Sequence, residues 1–165
     1  MEICLGLAFQ LNNMIEKAIE ADYPGIQKVW ELSVKATHDF LPDEYFERIR
    51  SMFPNFLPVV DLYVYRNPDT TIAGFLGVAD HKIEMLFIHP DQRGMGIGRR
   101  FIEFALKDLK AYKVDVNEQN KQAVDFYIRM GFEIVGRTDT DGLGEPYPLL
   151  EMQIPSASNN HLTQQ

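Results

Sequence analysis

Residues 83–100 read Ile83-Glu84-Met85-Leu86-Phe87-Ile88-His89-Pro90-Asp91-Gln92-Arg93-Gly94-Met95-Gly96-Ile97-Gly98-Arg99-Arg100, and this stretch decides the fold. The apolar run over 83–88 is of strand type, and Pro90 and Asp91 close it. Glycines follow at 94, 96 and 98. A helical pattern then runs from Gly96 to Lys110, with Ile97, Phe101, Ala105 and Leu109 on its inner face. Strand, glycine loop and helix N-terminus, in that order, suit an anion. The N–H groups of a first helical turn have no helical carbonyl to bond. The helix dipole adds positive potential, and glycines let a phosphate come close to the backbone. The dipole contributes only about 0.3–2 kcal/mol, so several N–H bonds must share the work.

The spacing decides which anion. A Walker loop needs Gly-Lys-Ser/Thr at its end, and no Lys follows these glycines. A dinucleotide fingerprint needs G-x-G-x-x-G, but here the third glycine comes one residue early, at Gly98. That spacing, with the chain length, disfavours a NAD(P)-dependent oxidoreductase. The match is to R/Q-x-x-G-x-G/A, read as Arg93-x-x-Gly96-x-Gly98. This loop resembles the pyrophosphate loop of the GNAT superfamily, the acetyl-CoA-dependent N-acetyltransferases.

The chain has 165 residues, enough for one domain with a real core. Its net charge of −8 and the lack of a basic face exclude a nucleic-acid binder. Arg93, Arg99 and Arg100 gather on the glycine loop, as a small polyanion would require. Elsewhere an acidic field favours a cationic second substrate such as an amine. The lone Cys4 excludes an internal disulfide and is a poor nucleophile candidate. The apolar opening over residues 1–11 has no basic n-region and is too short to span a bilayer. The expectation is a cytoplasmic protein that engages no membrane.

In chain order, residues 1–13 form an extension, 14–154 a single domain, and 155–165 a polar tail. A strand over 15–19 precedes a helix from an Asp22 cap to about Ala36, with Pro24 in its first turn. Ile26, Val29, Trp30 and Val34 face the core. A second helix starts at Pro42-Asp43, runs through Phe46, Ile49 and Phe53, and ends at Pro54. Strands over 59–65 and 71–78 form a hairpin around Asn67-Pro68-Asp69. After the strand 83–88 and its helix come a strand 112–116, a helix capped by Asn120 and ending at Met130-Gly131, and a strand 132–135. Asp141-Gly142-Leu143-Gly144 turns the chain into a last strand, 147–154. The order βααβββαβαββ predicts a mixed α/β fold with helices on both faces of the sheet.

Residues 117–132 carry the second signal. They are similar to the GNAT pattern N-x-x-A-x-x-F-Y-x-x-x-G-F, with Asn120, Ala123, Phe126, Tyr127, Gly131 and Phe132 in place. Asn120 can cap its helix and still offer its amide to a ligand carbonyl. Gly131 is a helix C′ residue. Both motifs occur in the expected order and together cover roughly residues 83–132. Within the superfamily, segments 36–41, 116–120 and 144–150 resemble the small bacterial YjaB-type acetyltransferases, over Met14 to about Ile154. The resemblance implies a mixed, mostly antiparallel sheet in which strand 83–88 and the strand ending near Val116 splay apart. It further implies acetyl-CoA as acyl donor, its pantetheine arm paired with backbone groups of Leu86, Phe87 and Ile88. Its pyrophosphate would sit on Arg93, Gly94, Met95, Gly96, Ile97, Gly98 and Arg99.

Acetyl transfer requires a neutral amine, a base and a proton for the leaving thiolate. The motif position of Tyr127 makes it the expected proton donor. Glu84 interrupts an apolar strand just before the acyl site and is the first candidate base. Asp115 and Asn117 share a strand face. Either would hold the acceptor amine or the cofactor, and Asp115 is the second candidate base. His38 follows the first helix, where an acceptor wall would lie. His81 and His89 have no partners at metal spacing, so no metal is expected. The reading is an N-acetyltransferase acting on a small-molecule amine or a lysine side chain, and a homodimer is compatible with it. The alternative is a catalytically silent acyl-CoA sensor on the same fold.

Overall fold

The computed structural model describes residues 14–156. The expected extension over 1–13, with Cys4, and residues 157–165 of the expected tail lie outside the described residues. In order the elements are β1 (Ile15–Lys17), α1 (Tyr23–Thr37), α2 (Asp43–Phe56), β2 (Asp61–Arg66), β3 (Ile72–Ala79), β4 (Lys82–Ile88), α3 (Ile97–Lys107), β5 (Lys113–Asn117), α4 (Lys121–Arg129), β6 (Glu133–Thr138) and β7 (Leu149–Gln153). This is the βααβββαβαββ order that the sequence predicts. Internal packing divides the chain into two compact units, one ending at Tyr112 and the other beginning at Lys113.

In the first unit β1, β2, β3 and β4 pair in that order, each pair antiparallel. α1 has Pro24 in its first turn and buries Ile26, Val29, Trp30, Ser33 and Val34, one face at helical spacing. α2 carries Asp43 and Glu44 in its first turn, where the dipole favours acids. Trp30 joins the two helices, stacking on Phe46 at 5.5 Å and Phe53 at 4.7 Å between ring centroids. Phe53 meets Phe75 of β3 edge-on at 6.2 Å, and Phe75 stacks on Phe87 of β4 at 5.4 Å. Trp30 is thus a core residue. Alternate β3 residues face opposite sides. Phe75 belongs to the cluster under α1 and α2, while a Cβ at Gly74 would meet Phe101 of α3. Helices therefore cover both faces of this sheet.

The second unit is a three-stranded antiparallel sheet in the order β5-β7-β6, with α4 packed on β5. Asn120 caps α4, its Oδ1 accepting the Ala123 N–H at 3.2 Å. Gly131, at φ 93, turns the chain out of the helix, a conformation that disfavours any side chain.

Several boundaries differ from expectation. Pro54 lies inside α2, which continues to Phe56. A proline near a helix end loses one bond, and buried Phe53 and Leu57 anchor the helix on either side of it. Residues Leu57–Val59 form a 3-10 turn, so β2 begins later than the apolar pattern suggests. α3 stops at Lys107, leaving Leu109 beyond its end, and its inner face includes Ile102. Asp22 caps no N–H of α1. Its carboxylate instead accepts the Ile19 N–H at 3.0 Å and pairs with Arg66 at 2.8 Å.

Phe75 is fully buried, and Phe75→Ala should cost about 3–5 kcal/mol, read as a lower urea midpoint. Val59→Ala, at a position 70% exposed, should change stability by no more than about 0.5 kcal/mol. Equal midpoints for the two variants would place the core elsewhere.

Candidate active site

After β4, residues Pro90–Gln92 make a 3-10 turn whose first N–H groups are met by His89: its Nδ1 accepts from Asp91 at 3.2 Å. Gly94 and Gly96 follow with φ of 76 and 82, left-handed values that favour glycine. A Cβ at either position would meet nothing within 4 Å. Conformation, not crowding, demands glycine here, and the space above the loop is open. The Arg100 N–H bonds the Gly96 carbonyl at 3.1 Å. The N–H groups of Ile97, Gly98 and Arg99 precede it in the first turn of α3 and have no helical acceptor. A row of backbone donors beneath open space fits a pyrophosphate.

The arginines contribute less than their clustering in sequence suggests. Arg100 turns inward and donates to the Tyr65 hydroxyl at 2.8 Å. Arg99 pairs with Glu103 at 3.0 Å, both side chains well exposed, an arrangement worth little. Arg93 folds back to α1, its Nη2 donating to the Ser33 carbonyl at 3.4 Å, and burial lowers its pKa. The backbone N–H groups, more than the guanidinium groups, are left available at this loop.

Ser33 was not singled out by the sequence, where it reads as one small polar residue in an apolar helix face. It is 1% exposed, and its Oγ donates to the carbonyl of Ile88 at 2.5 Å. Its own carbonyl accepts from Thr37 Oγ1 at 2.8 Å. Thr37 Oγ1 also lies 2.8 Å from His38 Nδ1. The threonine has one proton, and the Ser33 carbonyl can only accept it. His38 Nδ1 is therefore the donor to Thr37, which leaves Nε2 with the lone pair in the neutral ring. Burial pushes the His38 pKa down, with the nearby Arg93 charge adding to it, while the Val34 carbonyl and Asp39 oppose the shift.

Leu86, Phe87 and Ile88 pair with Leu76, Phe75 and Gly74 of β3. Glu84 occupies a special place on this strand. Met85 pairs with Gly77 and Ile83 with Val78, so Glu84 is an extra residue without a register partner. It sits at a β-bulge and is exposed. Bulges re-aim side chains, and no composition signal marks this one in the sequence.

In the second unit Asp115 and Asn117 lie on the outer face of β5, where Val114 and Val116 point inward. Asp115 is exposed and sits opposite Glu151. Asn117 Oδ1 accepts the Gln119 N–H at 2.9 Å, as Asn120 Oδ1 does for Ala123. Each amide has thus committed its oxygen to the backbone and keeps its NH₂ as donor. Tyr127 is 6% exposed and packs edge-on against Phe126 and Phe132, at 5.2 and 5.4 Å. Tyr127 is thus a largely buried residue of its unit. Burial of the ring raises its pKa, so it stays protonated at neutral pH.

A cavity of about 410 Å³, lined by Asp22, Lys28, Val29, Arg66, His89 and Gln92 among others, contains none of the site residues expected from the sequence. Among the described residues no cluster of His, Cys, Asp or Glu has a metal-holding arrangement, and no helix is long and apolar enough to cross a membrane.

Residues 60–143 match the family model of an acetyltransferase (GNAT) domain. The chain is 44% identical over 129 residues to the peptidyl-lysine N-acetyltransferase YjaB of Escherichia coli K12, covering 78% of this chain and 88% of that one. It is 42% identical over 127 residues to YjaB of Salmonella typhimurium, covering 77% and 88%. The solution structure of apo YjaB from Escherichia coli superposes with a TM-score of 0.79 at 39% identity, covering 87% of this chain and 97% of that one. The fold is also that of a Thermoplasma acidophilum PaiA N-acetyltransferase in complex with coenzyme A, with a TM-score of 0.65 at 22% identity and coverage of 84% and 97%.

The depressed His38 pKa sets a pH dependence. The unfolded chain binds this proton near pH 6.5, and the folded chain binds it only at lower pH. Stability is therefore full above about 6.5 and falls as pH drops through the folded value. His38→Gln should flatten the loss of urea stability between pH 7.5 and 5.5. An unchanged slope would show that His38 titrates alike in both states.

Proposed function

Because this chain belongs to the GNAT acetyltransferase family, we propose that it moves the acetyl group of acetyl-CoA to a primary amine, a lysine side chain of a protein, by direct attack. The observation that carries the reading is the left-handed pair Gly94 and Gly96 under open space at the start of α3. The lysine acceptor is favoured by the two YjaB relatives, which are peptidyl-lysine acetyltransferases. The net charge of −8 favours a cationic partner over an anionic one.

In this reading Ile97, Gly98 and Arg99 hold the pyrophosphate through their N–H groups, with the Arg93 and Arg99 side chains as secondary cations. Gly94, Met95 and Gly96 form the floor. Backbone groups of Leu86, Phe87 and Ile88 hold the pantetheine arm, and the NH₂ groups of Asn117 and Asn120 donate to its carbonyls. His38 and Asp115 orient the acceptor. Neutralising a lysine ammonium at pH 7 costs about 4.6 kcal/mol. Glu84, aimed outward by its bulge, takes that proton directly or through one water, and Asp115 is the second candidate. The free amine attacks the thioester carbon, the C–N bond forms and the C–S bond breaks. The amine nitrogen sheds a second proton and the thiolate gains one, so the overall reaction releases one proton. Tyr127 meets the thiolate. Its raised pKa keeps the phenol protonated at neutral pH, so it holds a proton to give as negative charge builds on sulfur.

Two measurements test the reading. Gly96→Ala forces a side chain into left-handed backbone, so calorimetric titration should show a Kd for CoA raised at least about tenfold in a folded variant. Tyr127→Phe keeps the packing and removes one hydroxyl. On a lysine peptide its kcat should fall at least about tenfold while the CoA Kd changes little. Unchanged CoA affinity in Gly96→Ala would remove the site assignment, and full activity in Tyr127→Phe would end the thiolate role.

A further inference from the structure

The segment between β4 and the glycine loop is held at its two ends by one side chain and its own carbonyl. Ser33 Oγ donates to the Ile88 carbonyl at 2.5 Å, at the end of the strand. Arg93, the first residue of the loop, returns a bond from Nη2 to the Ser33 carbonyl at 3.4 Å. Between these points the Gln92 amide exchanges two hydrogen bonds with the Asn67 amide, at 2.7 and 3.0 Å. The His89 N–H bonds the Ala73 carbonyl at 2.7 Å. Ser33 itself is 1% exposed, between Trp30 and Val34 on the buried face of α1. A helix interior gains nothing from serine through propensity, and a buried hydroxyl is retained only where it is bonded. Here the bond goes to the carbonyl of Ile88, the last β4 residue in register with β3, where it faces Gly74.

We infer that Ser33 is a positioning residue for coenzyme A binding: it fixes the β4 end and the first loop residue against α1, so that the loop N–H groups are aimed before the ligand arrives. The inference rests on the reading of residues 93–99 as the pyrophosphate loop. Ser33 touches neither substrate nor reacting atoms. Its effect belongs to binding, because a loop held in place binds without first being ordered. The chemical step takes place after that ordering and does not depend on it. The same Ser33 carbonyl accepts from Thr37, which in turn accepts from His38. The bonds that hold the loop thus continue to the end of α1.

Ser33→Ala is compared with Ile26→Val, a substitution at a buried position of the same helix whose side chain has no hydrogen-bonding group. Amide hydrogen exchange without ligand is the first readout. Ser33→Ala should accelerate exchange over residues 88–98 by about tenfold relative to the rest of the first unit, and Ile26→Val should not. The second readout is CoA titration, where Ser33→Ala should raise the Kd about tenfold with kcat at saturating acetyl-CoA within twofold of wild type. Ser33→Thr, which keeps the hydroxyl, should recover most of the loss in local protection. Uniform acceleration of exchange across the unit, or the same Kd change in Ile26→Val at a matched melting temperature, would reduce Ser33 to a packing residue and overturn the inference. If Ser33→Ala loosens 88–98 but the wild-type chain binds no CoA, the loop assignment fails and the positioning of the segment stands.

Discussion

A Cβ at position 74 would lie 2.7 Å from Ile88 Cδ1, 2.9 Å from the Phe87 carbonyl oxygen and 3.2 Å from the Phe101 ring. The neighbours are a backbone oxygen and a fully buried ring, neither free to retreat. The absence of a side chain at Gly74 therefore sets how closely α3 approaches the sheet. Because α3 begins at the glycine loop, this approach also sets the height of the loop relative to the end of β4. Phe75, one residue on, faces the other way and fills the space under Trp30 and Phe53. Two consecutive residues of β3 thus fix opposite layers of the first unit, one by its bulk and the other by having none.

Electrostatics in the first unit follow from this packing. The three arginines near the loop are engaged with Ser33, Glu103 and Tyr65, so their geometry is set by protein partners before a ligand is present. Main-chain amides at a helix start are already oriented and need no side-chain ordering to receive an anion. In the second unit the two asparagines act alike. Each commits its oxygen to a local backbone turn, while its NH₂ remains a donor group. Local capping and ligand donation are compatible in one side chain because an amide has two different ends.

Much of this was legible in the sequence for physical reasons. Glycines that must be left-handed, an Asn at a helix cap and apolar residues at helical spacing act through the local chain, and local signals survive in one dimension. The strand–glycine–helix order at α3, the Asn120 cap and the Gly131 exit are signals of this local kind. Features that depend on partners distant in sequence were not. Glu84 becomes a bulge residue only through the β3 register, and Ser33 acquires its role 55 residues away at Ile88. Pro54 reads locally as a helix stop, but the cost of one missing bond is outweighed by the burial of Phe53 and Leu57. The three arginines looked like a cluster because they are near in sequence, whereas their side chains leave in different directions.

An anion site composed of main-chain amides is inherited as a conformation. Met95 projects from the loop 64% exposed, and the Ile97, Gly98 and Arg99 amides would present the same N–H groups whatever side chains those positions carried. In the proposed reading, side-chain substitutions around the loop leave the anion-facing N–H groups in place so long as the two left-handed positions persist. Those two positions tolerate almost nothing but glycine. In the proposed reading, selectivity for the anion lies in backbone angles, and side-chain chemistry on the rim is available for other demands.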